Sequence, residues 1–211
     1  ASLERLSREC FETCVNLREL EVADGSEYLS IRDGVVYDKD RKEVLLAVVP
    51  PEDLVLPDTV ISIADHAFEK TSLKHIVLPP PLRSIGESAF SSTDIQRLVI
   101  PEGVERIGTY AFSRTRIERL DIPAGVRSTG IRVFRGCKNL REVRVLSEEE
   151  GILSGAFYEC NALERLYLAG SADGFLLHEF PEKADCVIIA PKVKLSSMPV
   201  PIKAMLVSGF S

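Results

Sequence analysis

The chain has 211 residues, 45% of them hydrophobic and 27% charged, so it can bury a sizeable core and is not a disordered tail. Its 26 basic and 32 acidic residues give a formal net charge of −6, the opposite of the basic surface that nucleic-acid binding requires. No apolar run approaches the roughly 20 residues that span a bilayer. The sequence therefore predicts neither a nucleic-acid partner nor a membrane span.

A repeat dominates the sequence. Five phenylalanines follow one another at intervals of 22, 22, 22 and 23 residues: Phe68, Phe90, Phe112, Phe134 and Phe157. Ala or Val precedes each of them, and four of the five have Ile five residues earlier. Thr or Cys stands three residues after each Phe, followed by an L-x-x-L-x-L pattern of Leu, Ile and Val. A period of this size indicates a solenoid, in which each turn buries its apolar face only against its neighbours.

The same template predicts elements before the first of these phenylalanines. An early copy fits at Leu6, Cys10, Phe11, Cys14, Leu17, Leu20 and Val22. One more rung, Leu54 to Pro57, is in register with Ile76 to Pro79, and residues 24–51 are interpreted as an insertion. Turn signals at Asp33-Gly34 and at 38–42 separate three β-rich runs there, so we expect a small antiparallel meander.

Each regular turn is predicted to supply one short parallel strand at its L-x-L. A proline column ends the strand, because proline has no N–H for the sheet: Pro57, Pro79, Pro101 and Pro123. A compact helical or 3₁₀ segment ending in Ala-Phe is expected on the opposite side. The last rung places Val187 and Ile189 where the preceding turn has Leu166 and Leu168, and residues 199–210 are predicted to form a short helix that covers the open end.

These features resemble the BspA-like leucine-rich repeat proteins of bacteria and some protists. The resemblance rests on the run from Ile107 to Pro123 and its sister turns, and on Asp33 to Asp40, which is similar to a hairpin insertion in that family. It covers residues 1 to about 170. The predicted fold is a β-dominated α/β leucine-rich repeat solenoid. It is a right-handed coil with one short parallel strand per turn of 22–23 residues, short helical or 3₁₀ segments opposite, and a β-hairpin insertion.

We expect residues 1–170 to form the repeat array, with the insertion at 24–51, and residues 171–211 to form an irregular last rung and a C-terminal cap of the same domain. The resemblance implies a non-enzymatic module for protein–protein interaction or adhesion, extracellular or on the bacterial surface, whose ligand is a host matrix or surface protein. One alternative is a scaffolding or targeting segment of a larger bacterial protein whose activity lies elsewhere, which leaves a cytoplasmic location open. A glycan hydrolase is a further alternative, although no paired-carboxylate motif supports it.

The candidate binding surface follows from the strand pattern. The middle residue of each L-x-L lies on the exposed face of the sheet, and Val occupies this column in three successive turns. We interpret this face as protein-binding, because repeat arrays use an open sheet for extended recognition. The predicted ligand-binding residues are Val55, His75, Val77, Arg97, Val99, Arg119, Asp121, Arg144 and Tyr167. The alternative is that Val is simply a good strand former and that the charges only solvate the sheet.

The sequence predicts no catalytic residue, no metal site and no cofactor. Its three His residues are scattered, and neither a zinc-type spacing, a nucleophile motif nor a phosphate loop occurs. Cys137 and Cys160 hold the column that other turns fill with Thr, so they are expected to be buried small side chains. Because neighbouring strands lie about 4.8 Å apart, a disulfide between these two residues is also open.

Overall fold

Successive turns of the chain stack so that equivalent residues lie one above another. The structure, a computed structural model, describes residues 17, 20–22, 26–149, 152–153, 155–169 and 187–189. The five phenylalanines form a single internal file. Neighbouring rings are parallel to within 9°, with centroids 5.1, 5.4, 5.6 and 5.9 Å apart along the chain. The predicted leucine-rich repeat solenoid is thus confirmed, and each turn is named below after its Phe.

The core is continuous along the array because every turn contributes the same buried columns. The Ala or Val before each Phe is buried, as are the Leu, Ile and Val residues of the strands that face inward. The Thr and Cys column is buried too, and its hydroxyl groups donate to the carbonyl oxygen of the Phe three residues earlier in three turns, from Thr71, Thr93 and Thr115. Local hydrogen bonds of this kind remove the cost of burying a hydroxyl.

One face of the coil, called the first sheet, carries the candidate binding surface on two groups of paired strands. Its parallel rungs are β4 (Asp53–Val55), β6 (His75–Val77), β9 (Arg119–Ile122), β11 (Glu142–Val145), β12 (Arg165–Leu168) and β13 (Val187–Ile189). The rungs pair in the orders β4-β6 and β9-β11-β12-β13. A single bridge between His75 and Arg97 continues the ladder from β6 into the Phe90 turn.

A second sheet runs along another side of the coil. It begins with an antiparallel meander in the insertion, formed by β1 (Leu29–Arg32), β2 (Val35–Asp38) and β3 (Glu43–Ala47). Two-residue parallel strands then follow, one per turn: β5 (Ser62–Ile63), β7 (Ser84–Ile85), β8 (Arg106–Ile107) and β10 (Ser128–Thr129). The Phe68, Phe112 and Phe134 turns therefore have two strands where the sequence predicted one, and the Phe90 turn has β7 and the single bridge at Arg97. Glycines such as Gly86 and Gly108 let the backbones approach here, because an added Cβ at either would clash with the preceding turn.

The corner around each Phe consists of tight turns, and no helix occurs in the described residues. In the Phe68 turn, three alternate N–H groups donate to carbonyls of the next turn, those of His66, Phe68 and Lys70. The intervening N–H groups donate three residues back along their own turn, those of Ala67, Glu69 and Thr71. Residues two before and two after each Phe also have positive φ, between 51° and 70°. The predicted helical or 3₁₀ segments are thus not found there, because left-handed residues interrupt any helix.

The last rung differs from its predicted register by one residue. The backbone of β13 pairs Val187 with Arg165 and Ile188 with Leu166, where the sequence placed Val187 level with Leu166. All three residues of β13 are apolar, so alternation could not define the register. Most of the predicted early copy before Leu17, and the predicted cap at 199–210, lie outside the described residues.

Candidate functional site

An apolar stripe runs across the first sheet. The side chains of Val55, Val77 and Val99 are 67%, 58% and 81% exposed, whereas their strand neighbours Leu54, Ile76 and Leu98 point into the core. Val55 lies directly beside Val77 in the paired strands, and the bridge at His75 brings the Phe90 turn, with Val99, alongside. Three large apolar side chains in consecutive turns therefore form one contiguous surface.

A charged stripe lies two residues before the valines. At one end, the imidazole Nδ1 of His75 lies 2.6 Å from the carboxylate of Asp53. At the other, Glu142 pairs with Arg165 at 3.1 Å and with Arg144 at 3.5 Å. Between them, the exposed side chains of Arg97 and Arg119 have no ion pair or side-chain hydrogen bond within the described part of the chain.

The position of Glu142 explains why Arg119 is unpaired. The two residues are Cα partners in neighbouring strands, so the Glu142 carboxylate could have turned toward Arg119. It instead accepts from Arg165 on the far side and lies against Arg144. Two positive charges on Arg97 and Arg119 consequently remain beside the exposed Val99.

Two shallow grooves connect these residues. The first, of about 770 Å³, is lined by the three valines together with His75, Arg97 and Arg119. The second, of about 430 Å³, is lined by Val99, Arg119, Asp121 and Arg144, so the grooves share Val99 and Arg119. The guanidinium of Arg144 lies 5.4 Å from the ring centroid of Tyr167, a cation–π contact that joins the last predicted residue to the surface.

The structure thus brings all nine sequence-predicted residues onto one side of the coil. Sequence reasoning missed Leu146, which is 42% exposed and lines the second groove, because it lies beyond the L-x-L pattern. It also missed a groove of about 940 Å³ over the two-residue strands, whose lining is mostly small and polar: Ser62, Asp65, Ser84, Gly86, Glu87, Gly108, Thr109 and Ser128. The recurring Ser at the first position of three of these two-residue strands was the available indication.

The predicted cysteine ladder is observed between two neighbouring turns. Cys137 and Cys160 are buried free thiols, and each donates to the carbonyl oxygen of the Phe in the preceding turn, at 3.1 and 3.0 Å. The hydrogen bond with Cys137 and burial together raise the pKa of the Cys160 thiol. Both residues act as small core side chains here.

No group of three or more His, Cys, Asp or Glu with metal-binding geometry occurs within the described ranges. Nor does that part of the chain contain a helix long and apolar enough to cross a bilayer.

Comparisons with known proteins agree with this architecture. A family model described as "BspA type Leucine rich repeat region" matches residues 50–164 in six copies. Among solved structures, the chain is similar to the pneumococcal vaccine antigen PcpA, with 22% identity, a TM-score of 0.67, and coverage of 81% of this chain and 44% of that one.

Two further solved structures are leucine-rich repeat proteins. The one from Bacteroides ovatus is 22% identical with a TM-score of 0.54, covering 81% of this chain and 49% of that one. The one from Eubacterium ventriosum is 16% identical with a TM-score of 0.55, covering 85% and 44%. The chain spans less than half the length of each of the three neighbours. No curated protein matches it.

Proposed function

The chain belongs to the family with the BspA-type leucine-rich repeat, and from this membership we propose that it is a non-enzymatic module that binds a protein ligand on the first sheet. Leucine-rich repeat folds are generally protein-interaction modules. The observation that carries the proposal is the stripe formed by Val55, Val77 and Val99 next to unpaired Arg97 and Arg119. Burying one Val against a partner contributes about 1.5 kcal/mol, which favours association through this stripe.

The charges at the stripe define the chemistry of the ligand. Arg97 and Arg119 carry positive charge with no carboxylate against them in the described residues, so a ligand with Asp or Glu opposite them gains ion pairs without breaking existing ones. His75 lies in the charged stripe beside the valines, and Asp121, Arg144 and Tyr167 continue the column of the valines over the next three turns, so polar groups border the stripe on these two sides. An apolar centre with a polar rim is the usual anatomy of a protein interface.

We also propose that the module works at the bacterial surface or outside the cell, with a host matrix or surface protein as its ligand. The likeness to PcpA, a vaccine antigen, supports this location. Protease treatment of intact cells tests it: a surface protein loses its repeat region while a cytoplasmic marker survives. Survival of the chain together with the marker would contradict the proposed location.

Binding is tested with purified matrix proteins and surface extracts passed over the immobilised chain. Two variants should each weaken a saturable interaction about tenfold or more. Arg97→Glu/Arg119→Glu repels the carboxylates of the ligand, and Val99→Asp places a charge against its apolar surface. Arg127→Glu is the matched control, since Arg127 is an exposed arginine beside β10 on the second sheet. Equal affinity of the sheet-face variants and the wild type, or no saturable partner, would refute the proposal.

A further inference from the structure

A cluster of basic side chains lies away from the binding sheet, at the corner that contains the phenylalanine file. Five residues of two neighbouring turns form it and are called the basic corner: Arg114, Arg116, Arg132, Arg135 and Lys138. The chain as a whole has a formal net charge of −6, so this concentration of cations runs against its overall balance. Two carboxylates offset it in the described residues, Asp94 at 2.8 Å from Arg116 and Glu159 at 3.1 Å from Arg135.

Two of these arginines are held close together by one aromatic ring. The guanidinium groups of Arg132 and Arg135 lie 5.6 and 5.5 Å from the centroid of Tyr158. Arg132 also donates to the hydroxyl of Tyr110 at 3.1 Å, and this hydrogen bond, together with the charge of the guanidinium, lowers the pKa of Tyr110. Like charges held near each other repel, and an anion bound between them would relieve that repulsion.

One donor of the basic corner has no acceptor. The Nε of Arg135 is buried and has no hydrogen-bond partner among the described residues, although the other end of its guanidinium pairs with Glu159. Buried N–H groups almost always have a partner, and an orphaned one points to a water or ion that completes it.

An open groove of about 510 Å³ adjoins this pair. Arg114, Arg116 and Lys138 line it together with Asn139 and Glu159, and Gly136 forms part of its lining. Gly136 leaves space because it has no side chain in a column that other turns fill with Lys70, Ser92, Arg114 and Glu159. Arg114 and Lys138 make no ion pair within the described ranges, so two exposed cations face the groove. Glu159 connects the groove to Arg135.

We propose that the basic corner binds the sulfate and carboxylate groups of an anionic polysaccharide, at a site separate from the protein-binding sheet. Guanidinium groups pair with such oxyanions through two parallel hydrogen bonds. The cations extend from two stacked turns, whose phenylalanine rings lie 5.6 Å apart, so they can meet successive charges of a stiff polymer. The exposed ring of Tyr158 and the amide of Asn139 add an apolar surface and hydrogen-bonding groups for a sugar.

An acidic protein and a nucleic acid are less well matched to this surface. Five cations offset by two carboxylates are few for a phosphate backbone, whose protein contacts commonly number about six to ten. The apolar stripe that would anchor a protein partner lies on the first sheet and not at this corner.

The probe for the test is a size-defined heparin oligosaccharide, measured by calorimetry with the whole chain. Arg114→Glu/Lys138→Glu should weaken binding about tenfold or more and lower the slope of log Kd against log salt concentration by about two, because two cation contacts are lost. Lys70→Glu is the matched control: Lys70 occupies the column of Arg114 two turns earlier, and its reversal should change the affinity less than about twofold. Arg97→Glu/Arg119→Glu should likewise leave oligosaccharide binding unchanged.

Should the double reversal fail to fold, as judged by circular dichroism, Arg114→Gln/Lys138→Gln removes the same two charges and should weaken binding in the same direction. No binding by the wild type, or equal affinity of the wild type and the corner variants, would overturn the proposal. A poly-glutamate peptide that binds as tightly as the oligosaccharide would overturn it in favour of an acidic protein.

Discussion

The side-chain Oγ1 of Thr129 accepts a hydrogen bond of 2.7 Å from the backbone N–H of Leu153. In the earlier turns this column holds Ile63, Ile85 and Ile107. The backbone carbonyl of each accepts a hydrogen bond from the N–H of a Gly in the next turn. Leu153 follows Ile152 as those Gly residues follow their own column residues, so the same N–H position meets the column and only its acceptor changes, from a carbonyl to a hydroxyl. The Thr that interrupts the isoleucine column therefore provides an acceptor that Ile lacks.

Replacing Thr129 by Val should lower the free energy of unfolding by about 1–2 kcal/mol, because Leu153 is buried and its N–H loses its acceptor. Thr129→Ser is the control: it keeps the hydroxyl and loses a methyl group, at a cost of about 0.8 kcal/mol or less. Urea unfolding measures both, and hydrogen exchange at the Leu153 amide should accelerate only in Thr129→Val. Unchanged exchange at Leu153 in that variant would show that the hydrogen bond is unimportant.

The close approach of backbones at the glycine column predicts a large effect of a single methyl group. An added Cβ at Gly108 would lie 2.5 Å from the carbonyl carbon of Gly86, so Gly108→Ala should destabilise the array by about 3 kcal/mol. At Gly136 the nearest atom would be Cγ of Arg114 at 3.3 Å, on an exposed side chain that can shift, so the φ of 70° is the main obstacle to a side chain. Gly136→Ala should therefore cost about 1 kcal/mol. Thermal unfolding of the two variants in parallel checks this order, and the reverse order would contradict it.

Burial and the nearby carboxylate of Asp33 raise the pKa of Tyr37 to about 12. An unfolded Tyr titrates near 10, so between about pH 10 and pH 12 the folded chain keeps a proton that the unfolded chain has lost. The contribution of protonated Tyr37 to the free energy of unfolding is fully present below pH 10. It decreases as the pH rises through this window, by about 1.4 kcal/mol at pH 11.

Tyr37→Phe should consequently lose about 1.4 kcal/mol less stability than the wild type between pH 7 and pH 11. Tyr28→Phe is the matched control, because Tyr28 lies at the start of the same meander and is 50% exposed. Urea titrations at the two pH values give the comparison. If the wild type and Tyr37→Phe lose equal free energies of unfolding, the pKa of Tyr37 is the same in the folded and the unfolded chain.

The buried cysteine pair predicts slow thiol chemistry. Cys137 and Cys160 have no exposed surface and both donate to Phe carbonyls, so a thiol reagent should modify them at least about a hundredfold more slowly in the folded chain than in urea. Peptide mass mapping assigns the label to each position separately. Labelling of either residue at the unfolded rate under native conditions would contradict the packing described above.

Much of the fold could be predicted from periodicity, because a residue that recurs every 22 positions must meet its copies when turns stack. The file of Phe68 to Phe157 and the buried Thr and Cys column follow from that single constraint. The second strand of each turn could not be predicted, since a two-residue pair such as Ser84–Ile85 is too short to show alternation. Nor could the corner geometry, which depends on left-handed residues as varied as His66 and Arg114.

The candidate site likewise has features that the sequence could predict and others that it could not. The spacing of the repeat was enough to place Val55, Val77 and Val99 on one face, because strand alternation determines which side chains point outward. It could not decide which arginine is unpaired, since Glu142 lies between Arg119 and Arg165 in neighbouring strands. That choice depends on side-chain rotamers, which a one-dimensional pattern does not contain.

The corner hydrogen bonds all run in one direction, from the N–H groups of one turn to the carbonyls of the next, from the Phe68 turn to the Phe157 turn. At the corner, each turn therefore presents acceptors toward its predecessor and donors toward its successor, whereas N–H groups at the strands, such as that of Gly108, donate back to the preceding turn. A whole turn can be duplicated or excised at any joint with these complementary edges preserved.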